Sequence, residues 1–474
     1  MPLREAIRQE IPTVVAGHAG KLPSRRVVQE VTPVAFAADL ERHARELAAA
    51  GRLSELESLL ARVQSTRRMD VIAGAARAFL DEEEYDDALV WMKRALNEAG
   101  ARPIDLLELG RYAEERHLEP RILALSIRLL GRALAERPPS DPSIEVRALA
   151  NLAEAWHRSR DAARAADLLQ RAEDAADRWA QSGSHHGAFW RWMLRIFRAD
   201  LAWDAGDRER AAGTYAEALR DPMAGVEFGR LAERCGEAGL DVAALMQARD
   251  ERDAELTYES EAHRVKLSTA DGKTLWASLW EGRAGRPGIV LIPMAGHSRH
   301  TWRHWARELA GDGWWVLALD ARGQGLSVGP DMEMRATPDD GLAALAVLAE
   351  LAGPGAPLAL MGASYGGAIA LLTAAQAARE VAMVLLSPAR LKDRGEALDA
   401  ASQCGVPVLL VTSVDDGVVT QWNMEMFERA PRGRWELRVV PEAGHGSYLL
   451  EVRPSLWREL LDWLGPRLTG AFHP

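Results

Sequence analysis

The chain has 474 residues, too many for one hydrophobic core, so two or more domains are expected. Charged residues make up 27% and hydrophobic ones 48%, the composition of an ordinary soluble protein. The net charge is −11 and there is no long basic run, which argues against nucleic acid or an anionic membrane as the main partner.

The first ten residues, Met1 to Glu10, carry charges but no apolar core, so they do not read as a signal peptide. No stretch reaches the roughly 18 apolar residues of a membrane-spanning helix. The two cysteines, Cys235 and Cys404, lie far apart and form neither a disulfide framework nor a zinc site. They read as small buried apolar residues in a cytoplasmic protein. Residues 1–34 carry Pro12, Gly17, Gly20, Pro23 and Pro33 and are expected to be irregular. Gly17-His18-Ala19-Gly20-Lys21 lacks the first glycine and the final Ser/Thr of a phosphate loop, so it reads as a plain loop.

Residues 35–255 are rich in Ala, Leu, Arg and Glu, with helical periodicity and no strand-like alternation. An internal repeat is present. Ala88, Met92 and Ala95 share one helix face, and the preceding helix offers Ile72, Ala76 and Phe79. Ala165, Leu169 and Ala172 repeat this after Leu149, Ala153 and Trp156. Ala211, Tyr215 and Ala218 repeat it after the Gly206-Asp207 turn, and Leu56, Leu60 and Val63 form a weaker copy. The pattern resembles a degenerate tetratricopeptide repeat, a helix–turn–helix of about 34 residues. The resemblance implies about five or six stacked hairpins with a concave face able to dock a peptide or protein. Alternatively, the region is a structural domain packed on its neighbour. Trp179, Trp190, Trp192 and Trp203 around His185-His186 read as a helix-packing core with two exposed histidines.

From residue 256 the pattern changes. Ala262–Leu267 and Leu275–Trp280 alternate like strands around an Asp271-Gly272 turn. Apolar runs then alternate with helical segments, which predicts a mainly parallel sheet with helices on both faces. One of these runs, ending at Met361, leads into Gly362-Ala363-Ser364-Tyr365-Gly366-Gly367 and then an Ala/Leu-rich helical run. A Gly-x-Ser-x-Gly between strand and helix is a nucleophile elbow: a sharp turn lifts the serine hydroxyl, and glycines remove the side chains that would crowd it.

Five motifs now stand in order: the Leu291–Ser298 stretch, Asp320-Ala321-Arg322-Gly323-Gln324-Gly325-Leu326-Ser327, the elbow, Val414-Asp415-Asp416-Gly417-Val418, and Gly444-His445-Gly446. Residues 260–470 thereby resemble an α/β-hydrolase. The resemblance implies Ser364 as nucleophile, His445 as its base and an aspartate orienting that base. Asp415 is preferred because family acids are often followed three residues later by Val, here Val418. Asp416, with Val419, fits the same rule. The oxyanion donors expected are the backbone amides of Tyr365 and Ala295, although the family's usual His-Gly pair is Pro293-Met294 here. Asp320 and Arg322 are expected to brace their loop.

His297, His300 and His304 lack a carboxylate or Cys to complete a metal site, so neither metal nor cofactor is expected. Only residues 387–406 lie where many relatives insert a lid. The helical region, with Met294, Trp302, Met332 and Met334, is therefore the expected cover and source of an acyl or aromatic pocket. This arrangement resembles that of prolyl-oligopeptidase-like enzymes. The function implied is a serine hydrolase acting on a small-molecule ester, thioester or activated amide through an acyl-Ser364 intermediate, carboxylesterase-like. A prolyl-oligopeptidase-like peptidase, an acyltransferase, and a scaffold with an inactive hydrolase domain are the alternatives.

Overall fold

The computed structural model describes residues 32–468, except 118, 138–140, 224–227, 330–331, 392–393, 415 and 442. Residues 1–31, with the Gly17–Lys21 loop and most of the segment expected to be irregular, lie outside the described residues. The first described helix already begins at Thr32.

Among the described residues, twelve α-helices precede the sheet. Those used below are α1 (Thr32–Ala49), α3 (Arg68–Asp81), α5 (Pro103–Arg116), α7 (Pro142–Arg158), α8 (Ala162–Gln181), α9 (His185–Asp204) and α12 (Val242–Glu259). Consecutive helices pack on one another, as α7 does on α8 and α8 on α9, and helices two apart, such as α3 and α5 or α5 and α7, also touch. The small residues of the repeat make this stacking close. Ala88, Met92 and Ala95 are fully buried, as are Ala76 and Ala172. Deeper in the sequence, Asp161, Ser184, Asp207 and Asp241 each cap a following helix by accepting from its first-turn amides. The short Gly/Asp turns seen in the sequence are therefore true helix breaks. Both cysteines are buried.

Helix α12 runs to Glu259, so the boundary expected at 255/256 falls inside a helix. One side of α12 carries Leu245, Arg249, Asp253 and Leu256, all buried. The two charged members of that stripe are held by the sheet half, as described below.

The sheet has eight strands: β1 (His263–Ser268), β2 (Thr274–Trp280), β3 (Gly288–Ile292), β4 (Trp315–Asp320), β5 (Leu358–Ala363), β6 (Val381–Leu386), β7 (Val408–Ser413) and β8 (Trp435–Val440). Their order is β1-β2-β4-β3-β5-β6-β7-β8. β2 is antiparallel to both neighbours, and every pairing from β4 to β8 is parallel. β3, β5, β6 and β7 are buried along their whole length, as continuous apolar runs in a covered parallel sheet must be. Alternate side chains feed two cores. Val290, Leu360, Met383 and Leu410 face one side; Leu291, Met361, Val384 and Val411 face the other.

The chain passes from β3 outward to β4 and then returns to place β5 on the other side of β3. At such a reversal the loops leaving neighbouring strands diverge and open a crevice at the strands' carboxyl ends. Ile292 is in register with Gly362, so the loops that follow β3 and β5 leave the sheet side by side.

Candidate active site

Ser364 follows β5 directly and is the N-cap of the helix Tyr365–Gln376. Its backbone sits at φ 49°, ψ −114°, a region that an L-residue enters only under constraint. The constraint comes from its neighbours. A Cβ on Gly362 would lie 2.2 Å from Gly366 O, and a Cβ on Gly366 would lie 2.3 Å from Ile292 O. Helix, elbow and β3 thus pack backbone to backbone, and only glycine fits at these two positions. The Ser364 amide donates to Leu386 O at 2.8 Å, and Ser364 O accepts from the amides of Ala368 and Ala389. The strained turn is fixed from three directions.

His445 lies in the loop after β8. Its Nε2 is 2.7 Å from Ser364 Oγ, and its Nδ1 is 2.7 Å from Asp416 Oδ2. An ionised carboxylate only accepts hydrogen bonds, so Nδ1 carries the proton and donates to Asp416. That leaves Nε2 with a lone pair to accept from the Ser364 hydroxyl. Burial would push the imidazole pKa down, but the charge and hydrogen bond of Asp416 outweigh it and hold it above the ordinary 6.5.

Asp416 ends the loop after β7 and is the N-cap of the helix Gly417–Arg429. Its carboxylate therefore sits at the positive end of a helix dipole. Asp415 lies outside the described residues. Ser413 ties the two loops together: its Oγ accepts from the Ala443 amide at 2.8 Å, and its O accepts from the Asp416 amide at 3.2 Å. No sequence signal distinguished Ser413.

The Tyr365 amide is the first of the helix and has no acceptor within it. Ala295 lies in the loop after β3, half-buried, beside the elbow. Met294 reaches the site: a Cβ on Gly446 would lie 3.1 Å from Met294 Sδ and 3.5 Å from Ser364 Cβ. Trp302, by contrast, is completely buried and packs edge-on against Trp305 in the core behind the sheet. The expectation that it lines a substrate pocket is corrected accordingly: its apolar bulk fills the core under the helix Arg303–Gly311. Met332 packs against the core on the sheet's other face, and Met334 is exposed.

Asp320 and Arg322 brace their loop as expected. Asp320 accepts from the amides of Arg299 (2.7 Å) and Leu326 (3.0 Å), and Arg322 pairs with Asp340 and Asp271. The partners were not foreseen. Arg299 is fully buried and spans from Asp320 to Asp253 of α12, at 2.5 Å. His300 donates to the same Asp253 at 2.8 Å. Arg249, also on α12, donates to Gly325 O and to the carbonyls of Leu219 and Asp221. His304 is exposed. Among the described residues, no group of three His, Cys, Asp or Glu side chains is placed to hold a metal ion.

The histidines of α9 are the second correction. His186 is buried, not exposed: its Nε2 is 3.3 Å from Ser447 Oγ, and its ring is 4.9 Å from Tyr448 and 5.0 Å from His297. Half-buried His185 offers its amide to Glu451, which also accepts from Ser184 Oγ at 2.5 Å. Trp179 of α8 meets Tyr448 edge-on at 5.3 Å. Helix α1 joins from another side, where Gln421 donates to Glu41 at 2.8 Å. Helices α1, α8 and α9 therefore rest on the elements that follow Asp416 and His445. Ser364 is left with 6% of its surface exposed.

Residues 286–396 match the family model described as serine aminopeptidase, S33, a hydrolase family. The C-terminal half has the α/β-hydrolase fold. It is similar to the Pyrococcus furiosus esterase at 18% identity, over 45% of this chain and 96% of that one, with a TM-score of 0.39. The 2,6-dihydroxy-pseudo-oxynicotine hydrolase matches at 18% identity over 59% of this chain and 88% of its own, TM-score 0.38. A soluble variant of the Saccharomyces cerevisiae monoglyceride lipase matches at 16% identity over 44% and 96%, TM-score 0.38. No curated protein sequence matches the chain significantly. Among the described residues, no helix is long and apolar enough to cross a membrane.

Proposed function

We propose that this protein is a serine hydrolase that cleaves a carboxylic ester, thioester or activated amide through an acyl-Ser364 intermediate. The observation that carries this reading is the unbroken relay from Ser364 Oγ to His445 Nε2 and from His445 Nδ1 to Asp416, each link 2.7 Å. A serine hydroxyl is too weakly acidic to attack a carbonyl at neutral pH unless a base takes its proton as the bond forms. His445 accepts that proton at Nε2 while Ser364 Oγ bonds to the carbonyl carbon. Asp416 stabilises the resulting imidazolium and keeps its ring aligned. The amides of Tyr365 and Ala295 receive the developing oxyanion. His445 then returns its proton to the leaving group as the carbon–leaving-group bond breaks. Water deacylates Ser364 by the same path in reverse order.

In this reading the helical half is the cover of the site. What supports this is that α1, α8 and α9 touch the elements after Asp416 and His445, while among the described residues the usual lid position holds one short helix. A cover excludes bulk water and restricts what enters. The family description favours a second reading, in which the acyl group belongs to a peptide and the leaving group is an amine. Intact-mass labelling with a fluorophosphonate, on wild type and Ser364→Ala, tests the first reading. We expect one adduct on wild type and none on the variant; folded wild type that stays unlabelled would overturn it.

A further inference from the structure

The loop after β3 that carries Ala295 closes as a tight turn. The His297 amide donates to Met294 O at 3.2 Å, and Gly296 sits at φ 80°. A positive φ at the third position alone marks a type II turn, which favours glycine there. Met294 O and the Ala295 N–H belong to one planar trans peptide, so they point in opposite directions. Holding Met294 O from inside the turn therefore aims the Ala295 N–H out of it. Among the described residues nothing accepts from that N–H. The turn stands against the elbow: a Cβ on Gly366 would lie 2.5 Å from Pro293 O. A Cβ on Gly446, beside His445, would touch both Met294 Sδ and Ser364 Cβ.

The His297 side chain makes a second bond to the same turn. Its Nδ1 is 3.2 Å from Ala295 O, and a carbonyl only accepts, so Nδ1 carries the proton. Nε2 then bears a lone pair, and it is buried without a partner among the described residues. Burial keeps the ring neutral, with its pKa pushed down to about 4. A buried unpaired nitrogen is a cost that an apolar side chain would avoid. Among the described residues, the bond to Ala295 O is the polar contact that the ring makes in return.

The ring is held by the helical half. Phe189 of α9 stacks on it, with centroids 4.6 Å apart and planes 24° apart, and His186 lies 5.0 Å away. His186 also reaches the other end of the turn. Its Nε2 is 3.3 Å from Ser447 Oγ, which donates to Met294 Sδ at 3.5 Å. Helix α9 thus presses on the turn at both His297 and Met294.

We propose that His297 is a positioning residue for the oxyanion hole: its Nδ1 bond to Ala295 O fixes the turn that aims the Ala295 amide, and Phe189 and His186 of α9 hold its ring in place. The helical half thereby sets the geometry in which the transition state is stabilised, besides covering the site. The proposal rests on the acyl-serine reading above, with the Ala295 amide as an oxyanion donor, and deepens it. Such a donor acts only when aimed where the charge develops. That charge is absent from bound substrate, so misaiming the amide lowers kcat and leaves KM nearly unchanged.

The test measures kcat and KM for p-nitrophenyl acetate and the inhibition constant of an alkyl trifluoromethyl ketone. The ketone carbon bonds to Ser364 Oγ, the hydroxyl proton passes to His445, and the carbonyl oxygen becomes an oxyanion. His297→Phe keeps the stack and removes the donor. We expect kcat to fall about 10- to 100-fold, short of the roughly 10²- to 10³-fold that follows loss of a whole donor. Ketone affinity should fall by a similar factor. His297→Asn places an amide nitrogen where Nδ1 stood and should recover most of both. Phe189→Leu leaves every polar group of the turn and should lower kcat about 3- to 10-fold. Its loss should be less than additive with that of His297→Phe, because both act through one ring. Wild-type kcat in His297→Phe, or a lower kcat with unchanged ketone affinity, overturns the proposal while leaving the hydrolase intact. Should His297→Phe not fold, an unchanged kcat in Phe189→Leu overturns it instead. Failure of wild-type Ser364 to take a fluorophosphonate overturns both readings together.

Discussion

His445 donates from Nδ1 to Asp416 at 2.7 Å, and on that bond we propose Asp416, of two adjacent aspartates, as the residue that orients the base. An Asp-to-Asn change at the orienting position keeps the shape but offers the imidazole the wrong hydrogen-bond partner. Such a change in a serine triad costs about 10⁴-fold in kcat. We expect Asp416→Asn to lower the rate of ester hydrolysis by about 10³- to 10⁴-fold. Asp415→Asn should cost far less, within about tenfold on the same scale. Steady-state kinetics on one activated ester compares them, and the reverse ranking would move the role to Asp415.

The same bond sets the pH dependence. His445 must be neutral to accept the serine proton, and Asp416 raises its pKa above 6.5. Activity should therefore fall as pH drops through a midpoint above 6.5, with a plateau on the alkaline side. In Asp416→Asn the raising influence is gone while burial remains, so the residual activity should titrate at lower pH. A kcat/KM profile of both proteins reads the two midpoints. An unmoved midpoint would mean that another group titrates.

The charges buried between α12 and the sheet half make a third case. Asp253 faces Arg299, His300 and Arg264, and the Asp253 and Arg299 side chains are both fully buried. Removing one partner of a buried ion pair leaves an uncompensated charge and costs about 3–5 kcal/mol. We expect Asp253→Ala to lose about that much on urea denaturation. The same physics bears on dissecting the protein. A fragment of residues 256–474 lacks Asp253 and so removes one of the two carboxylates that Arg299 pairs with, whereas residues 241–474 keep α12 with its Asp241 cap. The longer fragment should be the more stable, and equal midpoints would show that the network adds nothing.

The sequence revealed these features unevenly, for physical reasons. The elbow was legible because a local backbone constraint writes itself into local residues: Gly362 and Gly366 contact backbone that no Cβ can approach. The sheet was legible through its apolar runs. The choice between Asp415 and Asp416 was not, because neighbours on a loop satisfy the same spacing and differ only in direction. His186 was misread as exposed because its contact with Ser447 bridges 261 positions, and no local pattern records that. Trp302 was misread because an aromatic near a motif looks the same whether it lines a pocket or fills a core. Arg249 and Asp253 did leave a trace. They stand four apart in line with Leu245 and Leu256 on α12, and charges on an apolar stripe signal buried partners.

The histidines between the halves give the last test. His185 and His297 are pushed by burial to about 4, and His186 well below its usual value. In the unfolded chain each titrates near 6.5. Between pH 4 and 6.5 the unfolded state thus binds protons that the folded state refuses, and stability from these groups falls as pH falls. The slope is at most about 1.4 kcal/mol per pH unit for each histidine. Asp70 and Glu114 oppose it: burial lifts their carboxyls to about 7 and about 8, so they bind protons more readily when folded. The clean measurement is therefore a difference. Phe189 stacks on His297 at 4.6 Å, so His297→Phe keeps an aromatic in place and removes one titrating group. Urea denaturation at a series of pH values should show the gap between variant and wild type shifting in the variant's favour from pH 6.5 to 4. A constant gap would mean that His297 is as easily protonated in the folded protein as in the unfolded chain, and that the contact between the halves tolerates charge.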